Sequence, residues 1–198
     1  MTKDHRGDTA TRGQGAPVHE ETVDGFGTIR VRAVDPRGDA GVLHSWVTQE
    51  RARYWGMLGT DRERVREIYA YVDSLTTHHA YLVHLDDRPV ALFQTYEPEH
   101  DPVGECYEVQ PGDFGIHILI GPPSGPAAPG FTGALLGSFL GHLLEDESRT
   151  RIVAEPDARN DRAIARFLRT GFLKGPQIDL PGKRAQLVFL NRRDFRRP

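Results

Sequence analysis

Cysteine is nearly absent from this chain. Cys106 is the only one in 198 residues, which excludes an internal disulfide and any multi-cysteine zinc or iron-sulfur site. Long hydrophobic runs are missing as well: the stretch 116–121 is far short of the roughly 20 apolar residues of a membrane span. The opening Met1-Thr2-Lys3-Asp4-His5 lacks the apolar core of a signal peptide, so a soluble cytoplasmic protein with no membrane partner is expected. An excess of positive charge is also lacking. The formal net charge is -3, which leaves no footprint for nucleic acid. Neither a G-x-G-x-x-G fingerprint nor a Walker sequence is present, so Rossmann and P-loop readings have no motif behind them. What is there is a globular balance, 38% hydrophobic and 27% charged residues, in a length that suits one domain with room for a tail.

Residues 1–21 hold almost no large apolar side chains and bury too little surface to offset the entropy of ordering, so they read as a disordered tail. Residues 22–191 carry the folded domain, and residues 192–198 read as a short, solvated basic tail. From Gly27 onward Ile29, Val31 and Ala33 alternate with polar neighbours, the pattern of a half-buried strand. Asp39 then precedes Val42, Leu43, Trp46 and Val47 at helical spacing. Thr60-Asp61-Arg62-Glu63 has the capping-box form ahead of Val65, Ile68, Tyr69, Val72 and Leu75. Residues 80–85 and 90–96 form a hairpin about Asp86-Asp87-Arg88-Pro89.

The second half has a different rhythm. A strand over 114–120 runs into a Gly/Pro loop, 121–130, and then into an apolar helix over 131–144 with Gly133, Gly137 and Gly141 at intervals of four. Residues 151–154 read as a strand, 161–169 as a helix closed by Gly171, and 173–179 and 184–190 as a last strand pair about Pro181-Gly182. The predicted order is βααβββαβαββ, a single mixed α/β domain.

Three groups of residues have chemistry to offer. His117 interrupts the apolar Ile116, Ile118, Leu119 and Ile120, and an imidazole on a central strand is either satisfied by a core partner or poised as a base. Glu155-Pro156-Asp157 leaves the end of a strand, where the cleft of an open sheet lies, although Asp157 is equally suited to capping the helix that follows. The loop ahead of Phe131 could present free amides and a helix N-terminus to a phosphate. Its four prolines have no N–H to donate, so it is as readily a plain connection.

The stretch Gly112-Asp113-Phe114-Gly115-Ile116-His117-Ile118-Leu119-Ile120-Gly121, then Gly130-Phe131-Thr132, Val153-Ala154-Glu155-Pro156-Asp157-Ala158-Arg159-Asn160 and Thr170-Gly171-Phe172 resemble the siderophore-biosynthesis N-acyltransferases of the GNAT superfamily. The resemblance covers residues 27–189, and its most specific parts are the Gly-Ile-His-Ile-Leu strand and the Glu-Pro-Asp-x-x-Asn turn. It implies a GNAT-like fold, a mixed and mostly antiparallel central sheet flanked by helices. It also implies transfer of an acyl group from acyl-CoA (acetyl, succinyl or longer) to an N-hydroxylated lysine, ornithine or cadaverine, in a monomer or homodimer and without a metal.

By the same resemblance His117 is the general base and Asp157 orients the acceptor or compensates the imidazolium. Backbone amides of Ile118, Leu119 and Ile120 serve the thioester, Asn160 lies near pantetheine, and the loop at Gly130, Phe131, Thr132 and Gly133 takes the pyrophosphate. Arg53-Tyr54-Trp55-Gly56-Met57 resembles a family segment that covers the acceptor site, although an aromatic such as Trp55 between helices equally suits the core; Gln94 and Tyr96, at the end of a hairpin strand, are placed either to face the acceptor or to be solvated. The sequence departs from the wider superfamily at the pyrophosphate loop: in place of Arg/Gln-x-x-Gly-x-Gly/Ala it has Ala127 at the first position and Thr132 at the last. Donation there rests on the Thr132 hydroxyl and on the amides of residues 131–134. Acetylation of another amine such as an aminoglycoside, and a non-catalytic acyl-CoA-binding module, are the alternative readings.

Overall fold

A computed structural model describes residues 16–197 other than 124, 126 and 127; the first fifteen residues of the expected tail, and Ala127, lie outside the described residues. Eight strands form one sheet in the order β1-β2-β3-β4-β5-β6-β8-β7. These are β1 (His19–Val23), β2 (Gly27–Ala33), β3 (His78–Leu85), β4 (Arg88–Tyr96), β5 (Asp113–Ile120), β6 (Arg151–Ala154), β7 (Leu173–Leu180) and β8 (Lys183–Asn191). The helices are α1 (Ala40–Val47), α2 (Arg62–Ser74), α3 (Phe131–Leu143) and α4 (Asp161–Arg169). Every neighbouring pair is antiparallel except β5 and β6. One apolar layer sits between the sheet and α3, centred on Phe93, Phe139 and Ile116. A second, with Trp46, Tyr69 and Leu92, lies on the opposite face beneath α1 and α2.

β1 corrects the expected tail. Residues 19–21 belong to the sheet, paired with β2 from His19↔Val31 to Val23↔Gly27. The segment His-Glu-Glu-Thr-Val shows no apolar alternation because an edge strand is held by its ladder of backbone bonds and needs little buried hydrocarbon. The C-terminal segment is also less free than expected. Phe195 packs against the core, Arg192 donates to the backbone oxygens of Arg149 and Asp146, and Arg197 pairs with Glu21.

Three local signals resolve differently from their sequence form. Asp39 does not cap α1 with its side chain; its carboxylate is buried against Arg32 in a bidentate pair at 2.7 and 2.8 Å. The cap of α2 is Asp61, which accepts from Arg64 N, while Glu63 turns to Arg66, so the cap lies one residue later than expected and Glu63 does not reach back to complete the box. In α3, Gly137 is buried but a Cβ on Gly133 would meet nothing within 4 Å. The glycine row is therefore no continuous packing face.

The feature that positions the site is the short parallel pairing of β5 and β6. It covers only Asp113↔Arg151, Phe114↔Ile152 and Gly115↔Val153. At its base Arg151 grips the buried Asp113 carboxylate through two bonds of 2.6 Å and lies over the Phe189 ring. Beyond Gly115 the strands part. β5 remains paired with β4 up to Ile120↔Ala91, so a wedge opens on its other edge.

Candidate active site

The wedge contains a cavity of about 350 Å³, lined from one side by Trp55, Tyr69, Gln94 and His117 and from the other by Ala154, Glu155, Asp157, Asn160 and Lys183. Gly121 N donates to Val90 O. Since bonding direction alternates along an antiparallel pair, odd-numbered residues of β5 exchange bonds with β4, and the amides of Ile118 and Ile120 point to the edge that β6 has left. Ile118 and Leu119 line the cavity and Ile120 does not.

His117 is central. Its Nε2 lies 2.5 Å from Glu155 Oε1 and its Nδ1 3.2 Å from Gln94 Oε1. The imidazole side chain keeps 33% exposure, whereas Glu155 keeps 4%. Burial alone would push the Glu155 carboxyl up; the facing charges of His117 and Lys183, with hydrogen bonds from His117 and Tyr96, overcome it and hold it down at about 2. The carboxylate is thus ionised and can only accept. Tyr96 donates to its Oε2 at 2.5 Å, and Lys183 donates to its backbone oxygen at 2.9 Å and lies 3.3 Å from Oε1. Burial, then the neighbouring carboxylate, push the Tyr96 phenol well up, so it remains a donor.

Gly115 makes this packing possible. A Cβ there would stand 2.1 Å from atoms of the Tyr96 ring, and that ring lies 4.9 Å from the imidazole. Trp55 presents itself edge-on to His117 at 6.3 Å and donates from Nε1 to the Tyr69 hydroxyl.

Several expected residues stand elsewhere than the sequence suggested. The carboxylate that meets His117 is Glu155. Asp157 lines the same cavity, but both its oxygens are engaged by the Arg159 guanidinium at 2.8 and 2.9 Å and one by the Arg159 amide. Those bonds, against a smaller opposing effect of burial, hold its carboxyl below the ordinary range. Nor does Asp157 cap α4: the cap is Asn160, which accepts from Ala163 N. Tyr96 is buried at 1% exposure and does not line the cavity, because its hydroxyl is committed to Glu155. Gln94 and Trp55 do line it.

Gly130, Phe131, Thr132 and Gly133 also lie outside the cavity lining. Gly130 adopts φ 84° at the start of α3, a left-handed turn suited to glycine. The Phe131 amide closes that turn onto Ala128 O, which leaves the Thr132 and Gly133 amides without helical partners by position.

Two residues escaped the sequence reading. Lys183 opens β8 just after the β7–β8 turn, where a lysine is ordinarily solvated. Arg51 donates to Ile120 O and Gly121 O, forms no ion pair among the described residues, and has its guanidinium pushed down by burial and by nearby Arg162. Neither carries a local motif; only chain folding brings them to the wedge.

Residues 35–180 match the acetyltransferase (GNAT) domain family. The chain belongs to the GNAT family. It is 31% identical over 172 residues to N(6)-hydroxylysine O-acetyltransferase of Escherichia coli, a match covering 84% of this chain and 53% of that protein. It is 29% identical over 156 residues to hydroxyornithine transacylase of Ajellomyces capsulatus, covering 78% of this chain and 35% of the relative. The chain thus spans about half the length of the first and about a third of the second. An uncharacterized protein from Bacillus halodurans superimposes with a TM-score of 0.82 at 26% identity, over 91% of this chain and 92% of that one. The expected GNAT fold, a mixed and mostly antiparallel sheet flanked by helices, is the fold observed.

Proposed function

We propose that this GNAT domain transfers an acyl group directly from acyl-CoA to the nitrogen of an N-hydroxylated amine or amino acid, as a step in making hydroxamates. The observation that carries the reading is the His117–Glu155 pair set in the wedge between β5 and β6, beside backbone amides with no strand partner. The names of the relatives, one acting on hydroxylysine and one on hydroxyornithine, support the acceptor class.

Acyl-CoA supplies an acyl group already activated as a thioester, so the residues need mainly to hold, orient and move one proton. The open edge of β5 fits such a cosubstrate: the Ile118 and Ile120 amides are donors aimed into the wedge, suited to an extended chain and to charge developing on the acyl oxygen. Arg51 and the Thr132 and Gly133 amides are the groups available for phosphate oxygens.

His117 removes the proton from the acceptor nitrogen. Because ionised Glu155 requires a proton on Nε2, the lone pair of neutral His117 is on Nδ1, the atom beside Gln94. The Gln94 side chain, beside Nδ1, swings aside to admit the acceptor nitrogen to this lone pair, and its Oε1 accepts from Nδ1–H once the proton has been taken. Glu155 then compensates the charge that appears on the ring, as the carboxylate of a catalytic triad does. Lys183 and Tyr96 keep Glu155 ionised and fixed. Trp55 and Tyr69 wall the acceptor side with apolar surface.

The test is CoA release from a panel of acyl-CoAs crossed with N-hydroxylysine, N-hydroxyornithine and N-hydroxycadaverine, with an aminoglycoside and the unhydroxylated amines as controls. Steady turnover with a hydroxylated acceptor, reduced by a hundredfold or more in His117→Ala, is the expected result. Turnover confined to the aminoglycoside, or acyl-CoA binding without turnover on any acceptor, overturns the reading.

A further inference from the structure

β1 meets α3 through polar groups where apolar contact would be usual. The His19 ring stacks on the His142 ring with centroids 4.6 Å apart and planes inclined by 20°. His19 Nε2 is 3.0 Å from Ser138 Oγ and 3.6 Å from Glu21 Oε2. His142 Nδ1 is 3.1 Å from Glu145 Oε2. One ligand atom from each of His19, His142 and Glu145 lies within 4.8 Å of the other two. Both imidazoles are half-buried, and none of the three residues lines the cavity that holds His117.

We propose that His19, His142 and Glu145 form a binding site for one divalent transition-metal ion of the zinc class. The donor set decides the class. Two imidazole nitrogens with one carboxylate oxygen suit zinc and its neighbours, whereas magnesium and calcium take oxygen ligands almost throughout. The spacing agrees: three atoms no more than 4.8 Å apart share a point about 2.8 Å or less from each, so side-chain shifts of ~0.7 Å reach the usual ~2.0–2.2 Å bond lengths.

Glu21, adjacent through His19, offers a fourth oxygen. Its carboxylate is now shared with Arg197, the cation that an incoming ion displaces or sits beside. Ligands come from an edge strand and, more than a hundred residues later, from the last turn of α3 (His142) and the turn just after it (Glu145), so the ion closes a long loop and fixes β1 against α3. The role is structural and stands apart from acyl transfer, so it holds or fails independently of the proposed reaction.

The experiment titrates the chelator-stripped full chain with zinc chloride by calorimetry and repeats thermal unfolding with and without the ion. One saturable site per chain, a melting temperature raised by zinc and not by magnesium, and retention of the site in His117→Ala are expected. His19→Gln and His142→Gln should each weaken binding by at least about tenfold. Glu145→Gln, at an exposed position, removes a ligand without touching the core and should weaken zinc binding to a similar degree. No saturable uptake, or uptake unchanged in Glu145→Gln and in the His19→Gln/His142→Gln double variant, overturns the proposal.

Discussion

Replacing Glu155 by Gln tests the site at its most connected point. The carboxylate accepts from His117, Tyr96 and Lys183, and the substitution keeps its shape while deleting its charge. Holding the carboxyl at about 2 rather than its ordinary 4.5 corresponds to roughly 3 kcal/mol favouring the folded state. The folded value lies below the unfolded one, so this contribution is complete above about pH 4.5 and fades as pH falls toward 2. The stability gap between wild type and Glu155→Gln, read from urea unfolding, should therefore narrow by about 2 kcal/mol between pH 5 and pH 3.

Catalysis should suffer more than stability. The amide that Glu155→Gln introduces can present N–H to Nε2, which moves the His117 proton to Nδ1 and removes the lone pair that the proposed reaction uses as its base. The kcat should fall by about a hundredfold or more, with little change in acyl-CoA affinity. A folded variant within threefold of wild-type kcat, or a stability gap indifferent to pH, would refute the assignment of Glu155 as partner of His117.

Gly115→Ala should cost about 1–3 kcal/mol by overpacking and should lower kcat, since the only relief is to move the Tyr96 ring that holds Glu155; unchanged melting and rate would show that the ring yields freely. Removing residues 16–23 with the preceding segment deletes β1 and its ladder on β2, and should lower the melting temperature by several degrees at about 2–4 °C per kcal/mol. An unaltered melting curve would return β1 to the status of a tail. Cys106→Ser should retain most activity with intersecting initial-rate plots, because the Cys106 thiol lies against Pro102 O and Asp179 O and outside the cavity lining. Parallel plots with an acylated Cys106 in mass spectrometry would replace direct transfer by an acyl-enzyme route.

Much of the molecule was legible in the residues themselves. Periodicity located β2 through β8 and α1 through α4 in their order along the chain, because apolar alternation and helical spacing are written locally. β1 escaped since an edge strand rich in Glu and Thr is stabilised by a neighbour that local sequence does not announce. His117 was singled out because a titratable ring within an isoleucine-rich strand is costly without a partner. The identity of that partner was another matter. Glu155 and Asp157 are two residues apart, both carboxylates, both leaving β6, and no local rule ranks them.

The tertiary structure ranked them through contacts made at long range. Arg159 takes both oxygens of Asp157, while Tyr96 from β4 and Lys183 from β8 converge with His117 on Glu155. Sequence alone determined the pattern of elements and the presence of an imidazole and carboxylates near one cleft, since these follow from side-chain spacing and backbone preference over a few residues. Which carboxylate faces the imidazole, which lysine compensates it, and where β5 and β6 separate depend on strand register and packing between segments as much as 89 residues apart along the chain from Gln94 to Lys183, distances over which local preferences carry no information.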